Sequence, residues 1–264
     1  MSTDTALRVL VIAVVGYGVL VLLARVLAGP MMFHPPPVSY GAELVTARVP
    51  VGESDTLAVL RLPRDDARYT VLFSHGNAED LGQGRPLLEL IREAGYDVVA
   101  YDYRGYGRST GRPTPAGAVA DLAAVFDWVV DELGVPPDRV VLHGRSLGSG
   151  PTLALAGELG VAGVVLESAF AGAYRVMTHL PVLPFDPFPN LRRIRELEAP
   201  ILVMHGEDDG LIAVWHGRKL YEAAPGPKRA LWVDGAGHND LVPVAGARYV
   251  EALRGFAELL DLRR

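Results

Sequence analysis

The chain reads as one α/β domain with a mostly parallel sheet and helices on both faces, preceded by an N-terminal transmembrane helix. Three observations predict this. Short apolar runs, each closed by Gly, Asn or Asp, alternate with helical stretches along most of the 264 residues, and strands alternating with helices form parallel sheets buried on both faces. Gly144-Arg145-Ser146-Leu147-Gly148 stands between one such strand and one such helix, the setting in which a G-x-S-x-G pentapeptide exposes a serine hydroxyl on a sharp turn. A composition 50% hydrophobic, without internal repeats or low-complexity tracts, lets a chain of this size bury one large core.

From the N-terminus, residues 9–24 (VLVIAVVGYGVLVLLA) carry no charge, and Arg8 and Arg25 flank them. The stretch 7–28 approaches the ~20 residues a helix needs to cross a bilayer, so residues 1–29 are expected to form a membrane anchor. A signal peptide ending at Val26-Leu27-Ala28 and a buried core helix are the alternative readings. The flanking charges nearly balance and leave the orientation open. Residues 30–40, with three consecutive prolines, form a connector expected to run extended and to space the domain from the membrane.

The domain proper, 41–264, opens with a hairpin of residues 43–50 and 56–62 around Gly52-Glu53-Ser54-Asp55. Further strands are predicted at 69–74, 97–101, 139–143, 162–167, 201–205 and 230–233, and helices at 87–94, 115–133, 150–159, 216–223 and 245–260. Residues 168–199 break that rhythm. Pro181, Pro184, Pro187 and Pro189, interleaved with Phe185 and Phe188, exclude a long helix and predict an irregular apolar excursion. It reads either as a cap whose Phe170, Phe185 and Phe188 touch substrate or as a packed crossover loop.

Composition removes several classes of function. Twenty-five basic against 31 acidic residues give a formal charge of −6 with no basic stripe, so nucleic acid is not an expected partner. The absence of cysteine excludes disulfides, thiolate zinc sites and a cysteine nucleophile. Lys219 and Lys228 are the only lysines; with abundant Ala, Gly and Val this bias points to a GC-rich bacterial genome, and hence to a bacterial inner membrane.

A serine hydroxyl is a weak nucleophile, so Ser146 needs a histidine to take its proton and a carboxylate to orient that histidine. In sheets of this type the order along the chain is Ser, Asp or Glu, His. His238 lies in the glycine-bracketed loop Asp234-Gly235-Ala236-Gly237-His238-Asn239-Asp240 after the last strand, where a base can reach the carboxyl edge of the sheet. His34, His143, His179 and His216 lie in unsuitable settings, and His75 and His205 read as loop-fixing residues at strand ends. The spacing H-G-x-x-D from His205 selects Asp209 as the acid, with Asp208 second. The oxyanion needs two donors: the Leu147 amide, and one from the loop His75-Gly76-Asn77-Ala78-Glu79-Asp80. Asn77 is the candidate there, with Ala78 beside it and within reach of substrate. Such a site calls for no metal and no cofactor, and its partner is a small-molecule or lipid-acyl substrate.

Residues 74–82 (SHGNAEDLG), 101–107 (YDYRGYG), the pentapeptide, 186–190 (DPFPN) and 231–240 (LWVDGAGHND) together resemble the α/β-hydrolase superfamily, and within it serine hydrolases of the ABHD17 (FAM108) and Bem46 type. The resemblance spans residue 32 to the C-terminus. It implies the α/β-hydrolase fold, a Ser146, Asp209, His238 triad and hydrolysis of acyl esters or thioesters; the eukaryotic relatives remove palmitate from proteins at membranes. Those relatives reach the membrane through a lipidated cysteine cluster, which this chain replaces with an apolar segment. Rival readings are a peptidase of prolyl-oligopeptidase type and an idle binding module. The missing propeller-sized domain speaks against the first, and a candidate for every catalytic role speaks against the second.

Overall fold

The computed structural model describes residues 3–178 and 183–262. The apolar runs form β1 (Ala47–Val51), β2 (Asp55–Leu62), β3 (Thr70–Ser74), β4 (Asp97–Tyr101), β5 (Val140–Arg145), β6 (Gly163–Glu167), β7 (Ile201–Gly206) and β8 (Lys228–Val233). These make one eight-stranded sheet in the order β1-β2-β4-β3-β5-β6-β7-β8. β1 and β2 pair antiparallel, β2 joins β4 antiparallel, and all later pairs are parallel. Each strand lies where its apolar run predicts it, except that β1 begins after a single 3-10 turn at Ala42–Leu44.

The two-residue period of the strands divides the core. Leu72, Val99, Leu142 and Val203 pack with α3 (Pro115–Asp131), α4 (Ser149–Leu155) and α7 (Trp215–Ala223) through Leu122, Val125, Leu153 and Leu220. Their neighbours Val71, Val98, Val141 and Leu202 pack on the opposite face with α2 (Leu81–Glu93), α8 (Leu241–Ala245) and α9 (Ala247–Asp261) through Leu88, Ile91, Leu241, Leu253 and Phe256.

α2 starts six residues before the predicted 87. Pro86 argues against a helix there, yet Asp80 caps it by accepting from the Gln83 amide at 3.0 Å. The D-x-x-Q spacing is itself a helix-start signal. The predicted helix 245–260 is preceded by the short α8, and Gly246, with φ of 56°, makes the break in the left-handed region that favours glycine.

Before the domain runs α1 (Thr3–Met32); between Arg8 and Arg25 it carries no charge, and large side chains there, from Tyr17 at 49% to Ile12 at 72%, are exposed. Residues 33–40 do not form a free spacer. Phe33 is buried in the core with its ring edge-on to Tyr106, Ser39 donates through its amide and hydroxyl to Asp80, and Tyr40 donates its hydroxyl to Asp102. The proline-rich connector is thus a strap laid on the domain.

The excursion is irregular, as the prolines require, with one short helix at either end: α5 (Ala173–Thr178) and α6 (Asn190–Arg193). His179 and Pro181 lie outside the described residues. Asp186 closes the turn between the helices by accepting from the amides of Ala173, Tyr174 and Phe188 at 3.0, 3.3 and 2.9 Å.

Candidate active site

Ser146 follows the last residue of β5 with φ of 50°, a strained conformation for a residue with a side chain, and is 8% exposed. The turn survives because its neighbours are small. A Cβ at Gly144 would stand 2.6 Å from the Gly148 carbonyl oxygen, and one at Gly148 would run into the Ser74 carbonyl of β3. The Ser149 hydroxyl donates to the Ser146 carbonyl at 2.7 Å and fastens the turn to the start of α4.

The long loops after β7 and β8 bring their side chains to this turn. His238 Nε2 lies 3.0 Å from Ser146 Oγ, and His238 Nδ1 lies 2.7 Å from Asp209 Oδ2. A carboxylate only accepts, so Nδ1 carries the hydrogen and Nε2 is left as the acceptor facing the serine hydroxyl. Asp209 is buried and takes further hydrogen bonds at Oδ1 from the Leu211 and Ile212 amides, at 2.9 and 2.7 Å. Burial pushes its carboxyl pKa up, but hydrogen bonds from His205, His238 and Ile212 outweigh that and hold it well below the ordinary carboxylate range. Asp208 and Glu207 stand apart: Asp208 is exposed, and Glu207 pairs with Arg218 at 2.5 Å. A line of hydrogen bonds from hydroxyl to imidazole to carboxylate can draw the serine proton onto His238 while the carboxylate stabilises the cation formed.

Opposite the histidine, the loop after β3 comes close to Ser146: a Cβ on Gly76 would lie 3.6 Å from that of the serine. The Asn77 side chain is clamped. Its Oδ1 accepts from the His34 amide at 2.9 Å and the Tyr106 hydroxyl at 2.7 Å, and its Nδ2 donates to the Met32 carbonyl at 2.7 Å. Leu147, next to Ser146 on the elbow, is buried, and Ala78 is exposed with φ of 55°.

Beneath the elbow lies a group of charges that sequence reasoning missed. β5 and β6 pair in a register that sets Arg145 opposite Glu167. Arg145 Nε is 3.1 Å from Glu167 Oε1, Arg145 Nη1 bonds Glu79 of the loop after β3, and Glu167 Oε2 accepts from the Tyr249 hydroxyl at 2.7 Å and faces His143 Nε2 at 3.2 Å. Burial pushes the Glu167 pKa up; His143, Arg145 and Tyr249 more than offset this, and the carboxyl lies below its ordinary value. One signal was present in the sequence: charged residues closing two neighbouring, otherwise apolar strands, where each needs a partner.

The aromatic residues expected to touch substrate are divided. Phe188 is fully buried, its ring filling the space that a Cβ on Gly150 of α4 would occupy, and Phe170 is buried with its ring centroid 6.4 Å from that of Phe188. Both belong to the core in this structure, Phe188 held there by the hydrogen bond of its amide to Asp186. Phe185 instead lines a separate cavity of about 510 Å³ within the excursion, whose walls include neither Ser146 nor His238. Among the described residues no cluster of His, Cys, Asp and Glu could hold a metal ion.

A mostly parallel eight-stranded sheet with a serine on a tight turn after β5, an aspartate after β7 and a histidine after β8 is the architecture of an α/β hydrolase. Residues 69–189 match the family model described as alpha/beta hydrolase fold, and the chain belongs to that family. It is 39% identical over 200 residues to the alpha/beta hydrolase domain-containing protein aho-3 of Caenorhabditis elegans, covering 75% of this chain and 60% of that protein. Against human alpha/beta hydrolase domain-containing protein 17B it is 39% identical over 202 residues, covering 75% and 69%. The chain therefore spans about three fifths to seven tenths of these relatives' length. Among solved structures, an esterase of Pyrococcus furiosus superposes with a TM-score of 0.68 at 22% identity, over 85% of this chain and 98% of that one. An alpha-beta serine hydrolase homologue from Coxiella burnetii superposes with a TM-score of 0.64 at 19% identity, over 82% and 99%. These two establish likeness of fold.

Proposed function

We propose that the protein is a membrane-anchored serine hydrolase that cleaves acyl esters or thioesters. The observation that carries this reading is the hydrogen-bonded line Ser146–His238–Asp209, with separations of 3.0 and 2.7 Å, beside a loop and an elbow amide suited to an oxyanion. Ser146 Oγ attacks the acyl carbonyl carbon and passes its proton to His238 Nε2, and Asp209 holds the imidazolium. The Asn77 and Leu147 amides receive the oxyanion. As the tetrahedral adduct collapses, the carbon–oxygen or carbon–sulfur bond breaks, and His238 gives the proton to the departing alcohol or thiol. Water then attacks the acyl-enzyme, its proton going to His238 and from there back to Ser146 as the carboxylic acid leaves.

Anchoring is supported by residues Thr3–Arg25, a helical stretch of 23 residues long and apolar enough to cross a membrane, none of whose most apolar window is buried against the domain.

A fluorophosphonate probe tests the nucleophile. Wild-type protein should label covalently and hydrolyse p-nitrophenyl acyl esters, whereas Ser146→Ala should not label and should lose about 10⁶ in kcat, the scale seen when a serine nucleophile is removed. Equal labelling of the variant would dismiss Ser146, and amide substrates cleaved faster than esters would replace the esterase with a peptidase.

A further inference from the structure

The cavity of the excursion is separate from the proposed catalytic centre. In a chain of net charge −6, residues 168–195 carry four arginines against a single carboxylate, Asp186. Three of the four, Arg175, Arg192 and Arg195, line the cavity together with Tyr174, Leu183 and Phe185. Among the described residues none of the three stands within salt-bridge distance of a carboxylate. Asp186 also lines the cavity; its oxygens accept from three backbone amides of the wall, and of the three arginines only Arg175 acts on its charge, which leaves Arg192 and Arg195 facing the cavity without it. The cavity therefore presents guanidinium donors beside an apolar wall. That combination suits a ligand with a phosphate at one end and hydrocarbon at the other, since guanidinium groups bind phosphate oxygens two at a time.

The position of the cavity names the source of such a ligand. The Tyr174 hydroxyl donates to the Ala24 carbonyl of α1 at 3.2 Å, and the Arg25 guanidinium lies 5.8 Å over the Phe185 ring. Both residues of the wall thus meet α1 at Ala24 and Arg25, the last residues of the candidate span Thr3–Arg25. A helix that crosses the hydrocarbon up to Arg25 holds this cavity at the depth of the lipid headgroups.

We propose that the cavity bounded by Arg175, Arg192, Arg195 and Phe185 binds the headgroup of an anionic phospholipid of the surrounding leaflet. The proposal rests on the anchoring reading above. Its effect is to fix the domain against the bilayer on one face, opposing the repulsion between an anionic membrane and a domain of net negative charge.

The test uses the full chain in nonionic detergent micelles and follows its thermal unfolding midpoint. Ether-linked phosphatidylglycerol, which offers no ester to Ser146, should raise the midpoint by about 5 °C at saturation. Ether-linked phosphatidylcholine, whose choline cancels the phosphate charge, and inorganic phosphate should each raise it by less than about a fifth of that. Arg175→Gln/Arg192→Gln/Arg195→Gln should abolish the rise; if that variant fails to fold, the exposed pair Arg192→Gln/Arg195→Gln should at least halve it. A rise that survives the substitutions, or one equally large with phosphatidylcholine, overturns the site. An equal rise with inorganic phosphate overturns the lipid source. Alkaline extraction of membranes reads the anchor by itself, and fluorophosphonate labelling reads Ser146, so failure of either is distinguishable from failure of the headgroup site.

Discussion

Asp209 serves two histidines. Beside His238, it lies 3.3 Å from His205 Nε2, whose hydrogen is directed chiefly at the Ile212 carbonyl, 2.7 Å away, and passes close to the carboxylate. Asp209→Asn removes the acceptor that fixes the His238 tautomer, and kcat should fall by about 10⁴. The same substitution has a pH signature in stability. The folded pKa lies below the unfolded value of ~3.9, so the ionised group's contribution is fully present above about pH 4 and is lost as pH falls through the folded pKa. Urea midpoints of wild type and Asp209→Asn should therefore differ most near neutral pH, and the gap should narrow steadily as pH falls below about 4. A gap that stays constant over that range would mean the hydrogen bonds do not hold the carboxylate ionised. At this scale the sequence was informative wherever chemistry fixes a spacing: H-G-x-x-D chose Asp209 over Asp208, and the glycine-bracketed loop chose His238. It was silent on His205 as a second donor and on the Arg145–Glu167 pair, because both depend on which strands become neighbours.

Among the elements, the strap of residues 33–40 differs most from expectation, and its contacts fall on both ends of the loop after β3. Asn77 is held by Met32 and His34, and Asp80 by Ser39. Proline composition predicts an extended segment but says nothing of the surface it lies on. Under the proposed mechanism the clamp sets the direction of the Asn77 amide, which acts on the oxyanion only, so its loss should affect kcat rather than KM. Asn77→Ala keeps the backbone donor and removes the clamp. We expect kcat per fluorophosphonate-titrated site to fall about ten-fold with KM nearly unchanged, less than the 10²–10³ that follows loss of a whole donor. The accompanying stability loss should be ~1–3 kcal/mol, the cost of leaving buried polar partners unmatched. If the unfolding midpoint drops while kcat per titrated site holds, the strap is structural alone. The inner strands β3 to β7, by contrast, were legible almost to the residue, because each is an apolar run buried on both faces and ended by a turn residue. α2 was read short because Pro86 weighs against a helix, although Asp80 and Gln83 supplied the cap.

At the level of the whole molecule, the sheet and its two cores could be read from periodicity, whereas the relation of α1 to the domain could not. That relation rests on the hydrogen bond from Asn77 to the Met32 carbonyl and on contacts of residues 24 and 25 with Tyr174 and Phe185, side chains in a stretch whose irregular path no period predicts. The exposed apolar surface of α1 is the strongest argument for a lipid environment, since water would leave large side chains such as Ile12 and Val14 without a partner on any side. Charge placed in the middle of that surface should therefore act on location and leave the chemistry intact. An arginine at the centre of a spanning helix costs about 2.5–3.5 kcal/mol for insertion, roughly a hundred-fold in the equilibrium. Val14→Arg combined with Ile12→Arg should move the protein from the alkali-resistant membrane pellet to the supernatant. Labelling of Ser146 per folded molecule should be retained, because neither position touches the hydrogen-bonded line from Ser146 to Asp209. Wild-type protein released by high salt alone would remove the anchor, since screening abolishes surface attraction but leaves an inserted helix in place. Retained membrane binding of the double variant would instead place the attachment elsewhere, with the arginine-lined cavity as the first surface to examine.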